Sequence, residues 1–468
     1  MLPSLGARSA KLRHFIHKKL RQSSRISRKT LELSCLLVGA TLVALASLTF
    51  AALADYALDK NRLWATAWPL APWFILPPGM ALLAWFTRHH APYVAGSGIP
   101  QVIAALGLPY GANKERLIAW PQTLWKIPLT FLAMLIGASV GREGPSVQVG
   151  AAVMLAWGEY CRRHRLAFSG LSSNELIATG AAGGLAAAFN APLAGIIFAI
   201  EELGRGLHLR WERRLLLGVL ASGFILVAIK GNNPYFPQYV GATTLPHMIL
   251  WVALCGVVCG IAGGIFARLL AKGALGYAPA FLRGWLVRHP LIFAALLGVI
   301  LAAIGQHTHG QTYGTGYQAV AQALDGEVLQ PHHFGIAKLL ATVATYGSGI
   351  AGGIFTPSLT TGAGIGSGLW VLTGGVADHN LLVLLCTAAF LAGATQSPVT
   401  ASVIVMEMTG SQPVLIWSLI GSLVAALVSR QIHPRPFYHS AAGRFRQRIQ
   451  EEGPSQEPER PRPSEPSS

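Results

Sequence analysis

Charge is what this sequence has least of. Asp, Glu, Lys and Arg make up 12% of its 468 residues, about half the share of an average soluble domain. Only 19 residues are acidic, against 36 basic. The few carboxylates form no Asp pair, and the histidines, such as His307, His309, His332 and His333, fall mostly in loops. An intramembrane protease needs paired Asp, or Ser with His or Lys, inside apolar segments, so an enzyme is not expected. Cysteine is scarce as well. Cys35, Cys161, Cys255, Cys259 and Cys386 are odd in number and form no CxxC. Even Cys255 and Cys259, one helical turn apart in an apolar run, read as small buried hydrophobes rather than as metal or redox groups. No metal or cofactor is expected. No small-residue cleavage site follows a short apolar core near the start, so a cleaved signal peptide is not expected either.

What the chain has is apolar surface. Apolar residues make up 52% and the mean hydropathy is +0.47, which describes a polytopic, all-α membrane protein. The 52 glycines suit close helix packing and broken helices. The net charge of +17 does not imply nucleic-acid binding, because the basic residues gather at the chain ends and in short loops, where topology signals sit. Arg8, Lys11, Arg13, Lys18, Lys19, Arg21, Arg25, Arg28 and Lys29 place the first terminus in the cytoplasm. Arg430, Arg435, Arg444, Arg446 and Arg448 do the same for the second. From Glu451 onward Pro, Ser, Glu and Arg dominate, a disorder-prone composition.

Several apolar segments are too short to cross about 30 Å at 1.5 Å per residue, and several are interrupted by Gly and Pro. Non-helical backbone at membrane depth is tolerated only against protein or a water-filled cavity, so the breaks point to a transport site. The most informative break is Gly141-Arg142-Glu143-Gly144-Pro145. The preceding stretch, Ile127 to Val140, has no charge. A carboxylate at this depth is costly and reads as functional. The Gly-Pro pair marks a helix start, which aims N–H groups and the positive dipole end at an anion. Glu143 therefore stands where an anion would bind and competes with it.

The sequence also echoes itself. Gly353-Ile354-Phe355-Thr356-Pro357 repeats the Gly-x-x-x-Pro of residues 141–145. Ala392 to Glu407 resembles Ala186 to Glu201, aligning Pro398 with Pro192 and Glu407 with Glu201. Two halves built alike, with broken segments at matching places, are the best sequence pointer to a transporter site.

Gly96-Ser97-Gly98-Ile99-Pro100, the two Gly-x-x-x-Pro motifs and Tyr438 after the last apolar segment together resemble the CLC family of chloride channels and chloride/proton antiporters, over about residues 30–440. The resemblance implies an inverted-repeat helical bundle with broken and tilted helices. Its expected parts are a basic cytoplasmic segment at 1–30, membrane repeats at 31–235 and 236–440, and a disordered cytoplasmic tail at 441–468. It implies a chloride site formed by the Ser97 and Tyr438 hydroxyls and the Ile354 and Phe355 main-chain N–H groups. Donors without full charge suit this task, because a full positive charge would hold the ion too tightly for turnover. The competing readings are a packing role for Ser97 and an interfacial anchor for Tyr438. By resemblance Glu143 is the external gate, closing the outer path when ionised and carrying a proton when neutral; the alternative is an ion pair with Arg142. Glu202 matches the internal glutamate that relays protons in the antiporters. Glu201, on a different helix face, reads as structural. Gly96, Gly98, Pro100, Arg142, Gly144 and Pro145 support the loops. Lys126 either raises the potential of the anion path or snorkels.

Two departures from the family pattern are Ala351, where Pro is common, and Gln101, where many relatives carry Glu. No room remains for paired CBS domains, which implies a prokaryotic-type member in a bacterial inner membrane. The expected partners are chloride and protons as cargo, membrane lipid and a second copy of the chain. The expected function is chloride/proton exchange; the alternative is a passive voltage- or pH-gated chloride channel of the same family. Glu202 favours exchange, since channels tend to lack an ionisable group there. Fluoride exchangers depart from GSGIP and GREGP.

Overall fold

A chain in hydrocarbon must satisfy its own backbone N–H and C=O groups, and this one does so with helices. The computed structural model describes residues 5–109, 111–168, 171–205, 213–241 and 247–452, and no strand occurs among them. The side chains of residues 1–28 and everything from residue 453 lie outside that description. Four helical stretches are long and apolar enough to span a membrane: Lys29–Ala67, Met248–Lys272, Pro290–His307 and Gln412–Ile432. Shorter apolar helices, among them Lys126–Leu135, Phe334–Gly347, His379–Thr395 and Pro398–Thr409, lie beside them, as the Gly and Pro breaks predict.

Two apolar segments are subdivided further than their hydropathy suggests. Residues 120–140 contain Trp120–Leu124 and Lys126–Leu135. Residues 381–406 contain His379–Thr395 and Pro398–Thr409, broken at Gln396, whose φ of 59° ends the first helix in the left-handed region. The same break occurs in the other half, where Asn190 (φ 53°) ends Ser173–Phe189 before Pro192–Phe198. The expected disorder from residue 441 is corrected at its start. Phe437–Glu451 is a helix that buries Phe437, Tyr438, Ala441, Ala442 and Ile449, a helical spacing of apolar residues that gives it one core-facing stripe.

Small residues let helices within each half pack closely. A Cβ on Gly150 would stand 2.3 Å from the Gly180 carbonyl oxygen, so Glu143–Arg163 and Ser173–Phe189 touch backbone to backbone. In the second half, a Cβ on Gly362 would meet the Cys386 carbonyl at 2.4 Å, joining Phe355–Leu372 to His379–Thr395 in the same way. The two halves are also cross-capped. The Glu407 carboxylate accepts from the Leu193 and Ala194 N–H groups at 3.1 and 2.7 Å. Glu201 accepts from Val399 and Thr400 at 3.2 and 2.6 Å. Each carboxylate thus satisfies the open N–H groups and dipole of a helix start in the opposite half.

Candidate functional site

Three helices begin at the centre of the molecule: Ile99–Leu106, Glu143–Arg163 and Phe355–Leu372. Their motif loops are stitched together. Gly141 and Gly353 exchange N–H···O bonds of 2.7 and 2.8 Å, and Gly96 bonds to Ile350 O and Gly352 N at 2.9 and 3.0 Å. A helix start leaves its first N–H groups without intrahelical partners, so the Ile354 and Phe355 amides belong to a ready anion-binding terminus.

GSGIP and GREGP are needed together because they interlock. Gly96 and Gly98 have φ of 68° and 107°, which L side chains rarely adopt. A Cβ on Gly98 would lie 2.7 Å from the Gly144 carbonyl, and one on Gly144 would lie 2.2 Å from Ser97 Oγ. The Ser97 hydroxyl therefore rests on the bare Cα of Gly144. It stands beside the Tyr438 hydroxyl. Both residues are buried, and beyond each other neither hydroxyl has a hydrogen-bond partner among the described residues. Buried donors of this kind are rare without a ligand or water to satisfy them. Tyr438, with no exposed surface, does not stand as an interfacial anchor. Ser97→Ala is expected to weaken chloride by about 1–3 kcal/mol and to shift selectivity toward nitrate, a larger anion that needs less replacement of its water. Chloride and nitrate fluxes measured on the same preparation check it; an unchanged ratio would leave Ser97 a packing residue.

Lys126 does not snorkel. It is fully buried and donates to Val94 O and Gly96 O at 2.7 and 2.6 Å, pinning the loop that carries Ser97. Gln101 supports the same loop. Its amide N donates to Ala95 O and Tyr93 O at 2.6 and 3.2 Å, and its amide O accepts from Gly98 N at 3.1 Å.

Glu143 is fully buried. Its Oε1 accepts from the Tyr317 hydroxyl at 2.6 Å, and its Oε2 has no partner among the described residues. Arg142 Nε is 3.9 Å from Oε1, a distant contact. The arginine is engaged elsewhere, with Nη1 2.5 Å from Asp55 Oδ1 and 2.8 Å from Ala51 O. The ion-pair reading of Glu143 is thus the weaker one, and Arg142 braces the loop against the first helix.

Glu202 lies in a π-helical turn, Ala199–Leu203, a distortion often found at functional sites. The Ser397 hydroxyl donates to its Oε2, and His439 Nε2 lies 3.5 Å from its Oε1. Tyr438 is within electrostatic reach of both Glu202 and Glu143.

A profile of the family described as voltage gated chloride channel matches residues 79–430. The chain belongs to the CLC family. It is 31% identical over 444 residues to the H(+)/Cl(-) exchange transporter ClcA of Cronobacter sakazakii, covering 86% of this chain and 90% of that one. To the ClcA of Yersinia pestis it is 29% identical over 416 residues, covering 85% and 81%. A crystal structure of a slow cyanobacterial Cl-/H+ antiporter superposes with a TM-score of 0.74 at 25% identity, covering 89% of this chain and 98% of that one. The protein is an integral membrane protein with the CLC fold.

Three residues of this CLC site escape the sequence reading. Tyr317 follows Gly314-Thr315-Gly316, a faint copy of Gly96-Ser97-Gly98. Lys338 donates to Thr312 O and Gly314 O at 2.8 and 2.7 Å, as Lys126 does in the first half. It stands at the 212-residue offset that also relates Gly141 to Gly353 (338 − 126 and 353 − 141). Asp55, the partner of Arg142, carries no sequence signal.

Proposed function

We propose that the protein is a secondary active exchanger moving chloride one way and protons the other across a bacterial inner membrane. The observation that carries this reading is two buried carboxylates, Glu143 and Glu202, both within electrostatic reach of Tyr438, whose hydroxyl stands beside that of Ser97. Uncharged donors hold chloride. Ionised Glu143 competes for the anion path from the outer side. Protonated, it withdraws from that path and carries the exchanged proton. Glu202 gives the proton its own route on the cytoplasmic side, so that anion and proton diverge there. The relatives named as H(+)/Cl(-) exchangers support the same chemistry.

Both termini face the cytoplasm in this reading. The protein works as a homodimer with one pathway per subunit, and the segments around Pro192 and Pro398 line the interface. Leu193, Ile200, Val399 and Ile416 leave apolar surface exposed there, the kind of patch that marks an interaction face.

Proteoliposomes loaded with high KCl at symmetric pH test the exchange. Once valinomycin releases the voltage, chloride leaving the vesicle is expected to draw protons inward, and the outer solution becomes alkaline. Chloride efflux with no proton uptake at any pH would contradict exchange and leave the passive channel.

A further inference from the structure

Glu202 is buried to 1% exposure, yet as the inner proton site it must exchange protons with cytoplasmic water. One titratable side chain bridges that gap. His439 lies in the first turn of the helix Phe437–Glu451, immediately after Tyr438, and its side chain keeps 19% of its surface exposed. Its Nε2 lies 3.1 Å from the Glu202 carbonyl oxygen and 3.5 Å from Glu202 Oε1. Both neighbours are acceptors, so Nε2 carries the hydrogen and Nδ1 is the basic nitrogen. Oε1 is otherwise without a partner among the described residues. The other charged groups facing the imidazole are Arg205, beyond the π turn, and Arg446 on its own helix. Arg205 is fixed to Gln396 O at 2.8 Å and carries a permanent charge. Glu201, beside Glu202, is committed to the Val399 and Thr400 amides.

We propose that His439 is the proton relay between the cytoplasm and Glu202. The inference rests on the reading of Glu202 as the inner proton site. In the inward step, Nδ1 takes a proton from hydronium, which leaves as water, while the Nε2–H bond breaks and a new O–H bond forms at Glu202 Oε1. The imidazole is left neutral in its other tautomer. Outward release reverses the transfer. The residue thus contributes a path and not a stored charge.

The test is chloride-driven proton flux through the full-length chain in proteoliposomes, for wild type, His439→Ala, His439→Gln and Glu202→Gln. His439→Ala and His439→Gln are expected to slow proton flux by at least about tenfold, a modest loss for a positioned proton-transfer group. Added imidazole, small enough for the vacated space, is expected to restore most of it in His439→Ala. A bulky sulfonate buffer of similar pKa is not. Chloride flux in Glu143→Gln, which does not use the inner proton route, reports folding: adding His439→Ala to it is expected to change nothing. Wild-type proton flux in both His439 variants would overturn the relay, and so would a loss that imidazole fails to rescue. If Glu202→Gln also keeps its proton flux, the reading of Glu202 itself falls. If only Glu202→Gln loses it, Glu202 stands and His439 does not.

Discussion

Glu143→Gln is expected to conduct chloride at every pH and to move no protons. The amide is isosteric with the neutral acid and cannot ionise, so the gate is held in its proton-bearing form and the carboxylate no longer competes for the anion site. Wild-type chloride flux, by contrast, is expected to rise as pH falls, because protonation would remove the competing charge. The surroundings of Glu143 support this behaviour. One oxygen is held by the Tyr317 hydroxyl, the other has no partner among the described residues, and Arg142 is pinned to Asp55 rather than to the glutamate. A carboxylate held by one hydroxyl is freer to leave than one locked in a close ion pair. Parallel recordings of chloride with an ion electrode and of pH with a dye decide the matter. Proton uptake by Glu143→Gln at the wild-type rate would remove Glu143 from the mechanism.

The second large effect separates two adjacent residues. Glu202→Gln is expected to reduce proton flux to the leak of empty vesicles while chloride still moves. Its carboxylate is engaged by Ser397 and His439, neither of which is among the donors proposed to hold the anion. Glu201→Gln is expected to keep coupling and to lose stability or assembly, since Glu201 caps the helix that starts at Pro398. Loss of a helix cap costs about 0.5–2 kcal/mol. Flux assays alongside thermal unfolding of the detergent-solubilised protein distinguish the two. Coupling lost in Glu201→Gln and kept in Glu202→Gln would reverse the assignment.

The centre of the site was legible in the sequence because it breaks the rules of its surroundings. Glycines, prolines and a charge inside apolar runs have few reasons to exist at membrane depth, and residues 96–100, 141–145 and 353–357 do converge as that reasoning requires. The Glu201–Glu407 echo was legible too, and the structure gives its physical content: each glutamate caps a helix in the opposite half. Tyr317 was not legible, because Gly314-Thr315-Gly316 lacks the proline that marks its counterpart. Lys338 sits in an apolar helix where a lone lysine reads as snorkelling; only the offset from Lys126 identifies it. Asp55 reaches Arg142 across 87 positions of chain, a contact that no local pattern announces. The helix at 437–451 was hidden by its composition. Its polar and basic exposed face resembles the tail beyond it, and only the buried stripe sets it apart. That helix is also tied at its far end. The Tyr93 hydroxyl donates to Glu452, and Arg448 binds the same carboxylate at 2.8 Å. These bonds, Tyr93 first, hold the Glu452 carboxyl below the usual carboxylate range. The tie therefore stands at neutral pH and is lost only as pH falls through that lowered value.

The central claim is that one pathway obliges chloride and protons to move against each other. The voltage at which net chloride flux is zero tests it most directly, measured in proteoliposomes at a fixed chloride gradient while the proton gradient is varied. Exchange predicts that this voltage moves with the imposed pH difference and departs from the chloride equilibrium potential. A voltage that stays at the chloride equilibrium potential whatever the pH difference would contradict it.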